Sequence, residues 1–338
     1  MSFSRYNTED SVISSETVVR GLWSGDTNTL TQFFTSSSPT EYYVDVYNID
    51  PSSTSAAVQF SIQYGNINGS GSNLINPNVP NGGYTPSRVV YGEYRNLVFG
   101  TETQNFTFDN GTTTANDIFV INVARSRYKE SLLPGSFNLC LASGSNVIKL
   151  TDDSNTTSLT RFIGENKVFY IISGSNGSAY TSAASSSYYG MMFPDLDIIV
   201  LNATASSVVS LRNFFAPLTT ATSSISATNY NQLKLYNSIV SGSNSTSGSF
   251  QLQSSETVSS RYFFTRVKNS EFNYTTNPSI IDENGNLLYT TLINNPQTYV
   301  TTVGMYNDNN ELLAVAKLSK PLTKDFTKEA LIRIKLDY

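Results

Sequence analysis

Apolar residues in this chain fall in short runs at alternate positions, and clusters of Gly, Ser, Asn and Pro separate the runs. A period of two over four to eight residues is the signature of strands that bury one face. The segments "EYYVDVYNID", "SAAVQFSIQYG", "DIFVINVARS", "SFNLCLAS", "VIKLTDD" and "KVFYIISGS" all read this way. Helical periodicity is scarce. Short helices are expected at "SRVVYGEYRNLVFG" and at "SRYKESLLPG", where Pro134 and Gly135 supply stop signals. The expected fold is therefore mainly β, built from antiparallel β-sandwich-like domains with long Gly/Ser/Asn-rich loops and few short helices.

The last third carries the clearest pattern. "SRYFFTRVKNSEFNY" reads as a strand leading into an exposed aromatic stretch. Asn284-Gly285 is a strong hairpin signal, since both residue types tolerate positive φ. "YVTTVGMY" and "ELLAVAKL" form a second hairpin around Asn307–Asn310. In the closing run Ala330, Ile332, Ile334, Leu336 and Tyr338 share one face, and Leu331, Arg333, Lys335 and Asp337 the other. One face is expected to be buried, the other wet or paired, with the chain closing inside its sheet. Low-complexity stretches "YTSAASSSYYG" and "VSGSNSTSGSF" and the long loop "NINGSGSNLINPNVPNGGYTPS" suggest seams and contact loops. Soft boundaries give three segments: an N-terminal β-rich domain over 1–150, a middle β-rich domain over 151–256, and a C-terminal hairpin segment over 257–338 that packs on the rest. No internal repeat supports a solenoid or propeller.

Composition narrows the function. Charged residues are only 14% of the 338, while aromatics reach 12%, too rich in packing residues for disorder. The net charge of −5 comes without any Lys/Arg cluster of the kind that neutralises phosphates, so nucleic acid is not an expected partner. The single cysteine, Cys140, permits no internal disulfide and reads as a small buried strand residue. The start lacks the charged and apolar runs of a signal peptide, and no stretch is apolar enough to span a bilayer, so synthesis in a cytoplasm without membrane insertion is expected.

Histidine is absent, which removes Ser-His-Asp and Cys-His nucleophile arrangements and every His-based metal site. No phosphate-cradling Gly-rich loop follows a strand. Carboxylate pairs, which could hydrolyse a glycoside, are the one remaining catalytic option: Asp195 with Asp197 in "FPDLDII", which share a face if extended, and Asp152 with Asp153 in "KLTDDS". The bland reading, solvated or turn acids, is preferred. "DENGN" at 282–286 lacks the glycine position and the closing Glu of a calcium loop and reads as a turn. No catalytic residue, cofactor or metal is expected.

Interface residues are the better candidates. Arg125, Arg127 and Lys129, with Glu130, form the densest charge in the first half, either a solvated helix start or a docking point. Phe272 and Tyr274 in "NSEFNYTTNPSI" would anchor an extended arm, with Pro278 limiting edge pairing. Their alternative role is to complete the chain's own core. Arg333 and Lys335 offer a docking face on the closing strand.

Taken together, "EDSVISSETVVRGLWSGDTNTLTQFFTSS", "SRVVYGEYRNLVFG", "DIFVINVARSRYKESLLPGSFNLCL", "NSEFNYTTNPSII" and the closing forty residues resemble virion structural proteins of T-even-like contractile-tailed bacteriophages, especially those infecting cyanobacteria. The resemblance spans nearly the whole chain and carries no chemistry. It implies a non-enzymatic particle component in a virion tail, first of all a baseplate wedge subunit, that assembles with copies of itself and other virion subunits. Behind that stand a neck, capsid-associated or fibre role, and a carbohydrate-binding or hydrolysing receptor protein.

Overall fold

A computed structural model describes residues 5–38, 42–73, 85–108, 114–156, 160–180, 188–203, 218–220, 230–243, 249–273, 277–294 and 296–337. The fold is mainly β and antiparallel, with strands in about half of the chain and three α-helices among the described residues. It divides into two compact units, one formed by residues 18–256 and the other by residues 1–17 with 257–338.

The larger unit is organised by one long sheet. Its strands follow the order β2 (Thr29–Leu30), β14 (Phe250–Gln251), β7 (Asn138–Ser143), β8 (Asn146–Asp152), β10 (Asn166–Ser175), β12 (Gly190–Phe193), β13 (Ile198–Asn202), β5 (Asp117–Val123), β4 (Val58–Asn66) and β3 (Tyr43–Tyr47). Short strands β9 (Arg161–Ile163) and β11 (Ser178–Ala179) add to β10. The expected division at 150 is not a seam. It falls inside β8, and the strands after it, β10, β12 and β13, pair between β8 and β5 in the same sheet.

One sheet face carries Val46, Phe60, Ile62, Phe119, Ile121, Ile199, Met192, Ile171, Leu150, Leu139 and Phe250 in a single core. Phe60 lies on β4 and Phe250 on β14, near opposite ends of the strand order, yet their ring centroids are 5.2 Å apart. The sheet therefore curls until its two ends face each other, with Trp23 at 5.0 Å from Phe250 and 5.9 Å from Phe60. The indole Nε1 donates to the Phe250 carbonyl at 3.0 Å, so its one polar atom is satisfied inside the core. Helix α2 (Asn231–Ser243) adds Leu235 and Ile239 to this core. It approaches β7 so closely that a Cβ on Gly242 would stand 2.2 Å from the Cys140 carbonyl oxygen. Sequence patterning missed α2 because its end merges into "SGSNSTSG", which reads as loop.

The opposite face of β5, β10, β12 and β13 is also covered. Helix α1 (Pro86–Phe99) lays Val90, Tyr91, Tyr94 and Val98 against Val120, Val168, Met191, Phe193 and Val200. Pro86 stands at its first turn and Gly100 closes it at φ +68°, positions where a missing N–H and a left-handed residue cost least. Burial on both faces explains why "MMF" and "IIVL" are continuous apolar runs. The helix expected at "SRYKESLLPG" does not form. Ser131 and Leu132 instead make strand β6, paired with Ser255 and Ser254 of β15 (Gln253–Val267).

In the smaller unit β15 pairs along 260–267 with β18 (Ala330–Asp337), in the strand order β1 (Ser11–Gly21), β15, β18. β16 (Thr298–Tyr306) and β17 (Leu312–Lys324) form the expected hairpin, with Asn307 and Glu311 closing its turn. At Asn284-Gly285 there is a turn with one isolated bridge, Ile281 to Leu287, and the following segment is helix α3 (Thr290–Asn294), not a second strand. Val267, Ile332 and Ile334 are the buried apolar side chains of this unit among the described residues; Phe263, Val300, Val303, Met305, Ala316 and Leu322 pack around them half-buried.

Candidate functional site

The acids considered for catalysis occupy framework positions. Asp195 and Asp197 lie on the turn between β12 and β13, not on an extended strand, and Asp197 has φ +57°. Their side chains diverge: Asp195 is exposed and Asp197 only 2% exposed. The Tyr128 hydroxyl hydrogen bonds to the Asp197 carboxyl, whose Oδ1 has no partner. Burial pushes this carboxyl up to about 7, against the opposing pull of Tyr128 and Arg125. The same burial and the neighbouring Asp197 raise Tyr128 to about 12.

At the end of β8, Asp152 accepts hydrogen bonds at Oδ2 from the N–H groups of Gly135 (2.8 Å) and Ser154 (3.3 Å), and burial again raises its carboxyl. Asp153 is spent elsewhere: Oδ1 accepts from Tyr170 N–H at 3.0 Å and Oδ2 pairs with Arg161, which stacks on the Tyr170 ring. One member of each pair is committed or exposed while the other is buried, so neither offers two free carboxylates flanking a shared space. Asp282 is a turn residue, held below the usual carboxylate range by its bonds to Asn286. No cluster of three or more metal-ligating His, Cys, Asp or Glu is gathered among the described residues.

The charged stretch at 125–130 folds back on itself. Arg125 donates to the carbonyls of Tyr128 (2.9 Å) and Lys129 (3.4 Å) and lies over the Tyr128 ring. Arg127 donates to Ser24 Oγ at 2.6 Å, and Ser24 is in turn held by the buried Gln59. Lys129 and Arg20 share Glu256, at 3.0 and 3.1 Å. These contacts replace the helix expected there.

Phe272 sits on a constrained loop. It is 40% exposed with φ +55°, a left-handed conformation that costs a bulky residue on the order of 1–3 kcal/mol. The constraint comes from Lys324, which is fully buried. Its ammonium donates to the Asn269 carbonyl (2.9 Å), Asn273 Oδ1 (2.8 Å) and the Asp325 carbonyl (2.8 Å). Thr298 Oγ1 donates to the Phe272 carbonyl, and Glu271 accepts from the Lys268 N–H. Three neutral oxygens thus complete the three donors of one internal cation. Tyr274 lies outside the described residues.

On β18 the alternation expected from sequence is present. Ile332 and Ile334 are buried, while Arg333 and Lys335 are exposed. Arg333 covers the Tyr262 ring at 5.4 Å and Lys335 pairs with Asp337 at 3.0 Å.

Two features escaped sequence reasoning. One is Lys324, because no local pattern marks a lysine two of whose three acceptors lie about fifty residues upstream. The other is the outward face of the β16–β17 hairpin, with Tyr306, Leu312, Leu313 and Val315 between 41% and 67% exposed. A signal was present in "ELLAVAKL": the small Ala314 and Ala316 alternate with the exposed Leu313 and Val315. Comparisons with protein-family models, with curated proteins and with solved structures find no match.

Proposed function

We propose that this chain is a non-enzymatic structural component of a bacteriophage particle, a tail baseplate wedge subunit in the first instance, that works by holding neighbouring virion subunits. One observation carries the assembly half of this reading. Among its described residues, the unit formed by residues 1–17 and 257–338 buries three apolar side chains and leaves Ile13, Phe272, Tyr299, Leu313, Val315, Phe326 and Leu331 among those exposed. A unit of this size ordinarily stabilises itself by a fuller core, and uncovered apolar surface of this extent marks a surface that another chain covers. The location in a virion tail rests on the sequence resemblance, as do manufacture in the host cytoplasm and the mixed partnership with copies and other subunits. No helix among the described residues is long and apolar enough to cross a membrane.

Mass spectrometry of gradient-purified phage particles, with immunogold labelling of the same particles, tests both halves. Stoichiometric presence with label at the baseplate is expected; label at the neck or capsid moves the assignment within the particle. Absence from particles overturns it. Saccharide release from host-surface polysaccharide, lost on Asp195→Asn, would replace it with a receptor-hydrolase reading.

A further inference from the structure

Lys324 and Asn273 meet inside the smaller unit, shut away from solvent: Lys324 is 0% exposed and Asn273 9%. The Lys324 nitrogen lies 2.8 Å from Asn273 Oδ1 and is fixed there by the carbonyls of Asn269 at 2.9 Å and Asp325 at 2.8 Å. The other end of the amide is held too, since Asn273 Nδ2 donates to the Asn269 carbonyl at 2.6 Å. The amide carbon is thus the next atom beyond the oxygen that the amine touches. Phe272, with its φ of +55°, leads the chain into this arrangement, and strain of that kind gathers where a site is held in a set geometry.

Two further observations bear on the pair. A buried charge is ordinarily matched by an opposite charge, whereas the three acceptors around this ammonium are neutral. The unit also has a thin core of Val267, Ile332 and Ile334 among its described residues, and the chain's one cysteine, Cys140, lies in the other unit, so no disulfide can fasten it. Small cores of this kind call for a covalent or metal staple.

We infer that Lys324 and Asn273 join in an intramolecular isopeptide bond. Nζ attacks Asn273 Cγ; the Nζ–Cγ bond forms and the Cγ–Nδ2 bond breaks. Of the three protons on the ammonium, one stays on the new amide nitrogen and two pass to the departing Nδ2, which leaves as ammonium ion. Atoms and charge balance without a co-reactant. The product is neutral, so the unmatched internal charge disappears, and the bond ties together positions 51 residues apart. The fold supplies the proximity that makes such a reaction unimolecular, and lysine amines serve as nucleophiles where a site excludes water. The neighbouring carboxylates help little. Bonds from Thr327 and Lys328 hold Asp325 down to about 2, and Arg266 holds Glu329 below its ordinary range, so neither stands ready to protonate the amide oxygen. Closure is accordingly slow, completed over days after folding. The bond lies within one unit and does not depend on what the chain assembles with.

The test is the mass of the full chain under denaturing conditions, fresh and after a week at physiological temperature. Wild type is expected to lose the mass of one ammonia, in a fraction that grows with time to most of the molecules. Trypsin cuts after Lys268, Lys317 and Lys328 and passes over Lys320, which precedes Pro321. The closed chain should therefore yield a branched peptide, residues 269–317 joined to 318–328 through Asn273 and Lys324, with no cut after Lys324. Lys324→Met and Asn273→Ala should keep their full sequence masses, and the wild-type reading stands whether or not either variant folds. Aged wild type should unfold at a higher urea concentration than fresh. Ammonia is also lost by ring closure at Asn284-Gly285, which would persist in both variants and give no branched peptide; that pattern overturns the inference. A wild type that keeps its full mass throughout overturns it as well.

Discussion

Asp197→Asn tests the electrostatics of the larger unit. Asn is nearly isosteric with Asp and tolerates the left-handed φ of +57° at this position, so the change removes a titrating carboxyl without backbone strain. Burial holds the carboxyl at about 7 in the folded chain, against an ordinary value of 3.8. The folded state therefore keeps a proton that the unfolded state has released, and stability falls as pH rises from about 4 to about 7, then levels. Three pH units correspond to about 4 kcal/mol at most, and relaxation around the charged form reduces this to roughly 2–4 kcal/mol. Wild type and variant should unfold alike near pH 4. At pH 8 the variant should be the more stable, by roughly 5–15 °C in Tm for a unit of this size. Differential scanning calorimetry across pH 4–8 measures the gap directly. Parallel pH profiles for the two chains would show that Asp197 ionises as an ordinary carboxylate and would refute the reasoning.

Other perturbations separate framework from interface. Lys324→Met keeps most of the stem but strands the Asn269, Asn273 and Asp325 oxygens; a loss of about 2–4 kcal/mol and faster hydrogen exchange over 268–273 are expected. Phe272→Gly relieves the left-handed strain, so the subunit should gain about 1 kcal/mol in urea unfolding while its incorporation into particles falls; unchanged incorporation would return Phe272 to a purely local role. Gly242→Ala drives a methyl against the Cys140 carbonyl and should cost about 1–3 kcal/mol, read in the same assay.

The fold class was legible because period-two patterning is local and each strand states its own faces, as Ile332 and Ile334 against Arg333 and Lys335 do on β18. What local pattern does not state is which strands meet. Nothing in "VIKLTDD" or "KVFYIISGS" announces that β8 and β10 are neighbours in one sheet, so a sheet continuous through residue 150 was read as two domains. The helix expected at 126–135 failed for a similar reason. Arg125 and Arg127 find partners at the Tyr128 carbonyl and at Ser24, and the latter lies about a hundred residues away. The same blindness to distant partners hid the cage around Lys324. The exposed hairpin face fared differently: it was written in the alternation of Ala314 and Ala316 with Leu313 and Val315, but reading it required knowing which side of β17 was already occupied.

Trp23, wedged where the curled sheet meets itself, has a consequence for measurement. It is the chain's one tryptophan, and it belongs to the larger unit, so the smaller unit is dark to indole fluorescence. Its emission reports the closing of a single sheet, while far-ultraviolet dichroism sums the strands of both units. Followed together through a denaturant titration, the two signals would part wherever the sparsely cored unit melts first, giving a built-in assay of the order in which the two units unfold.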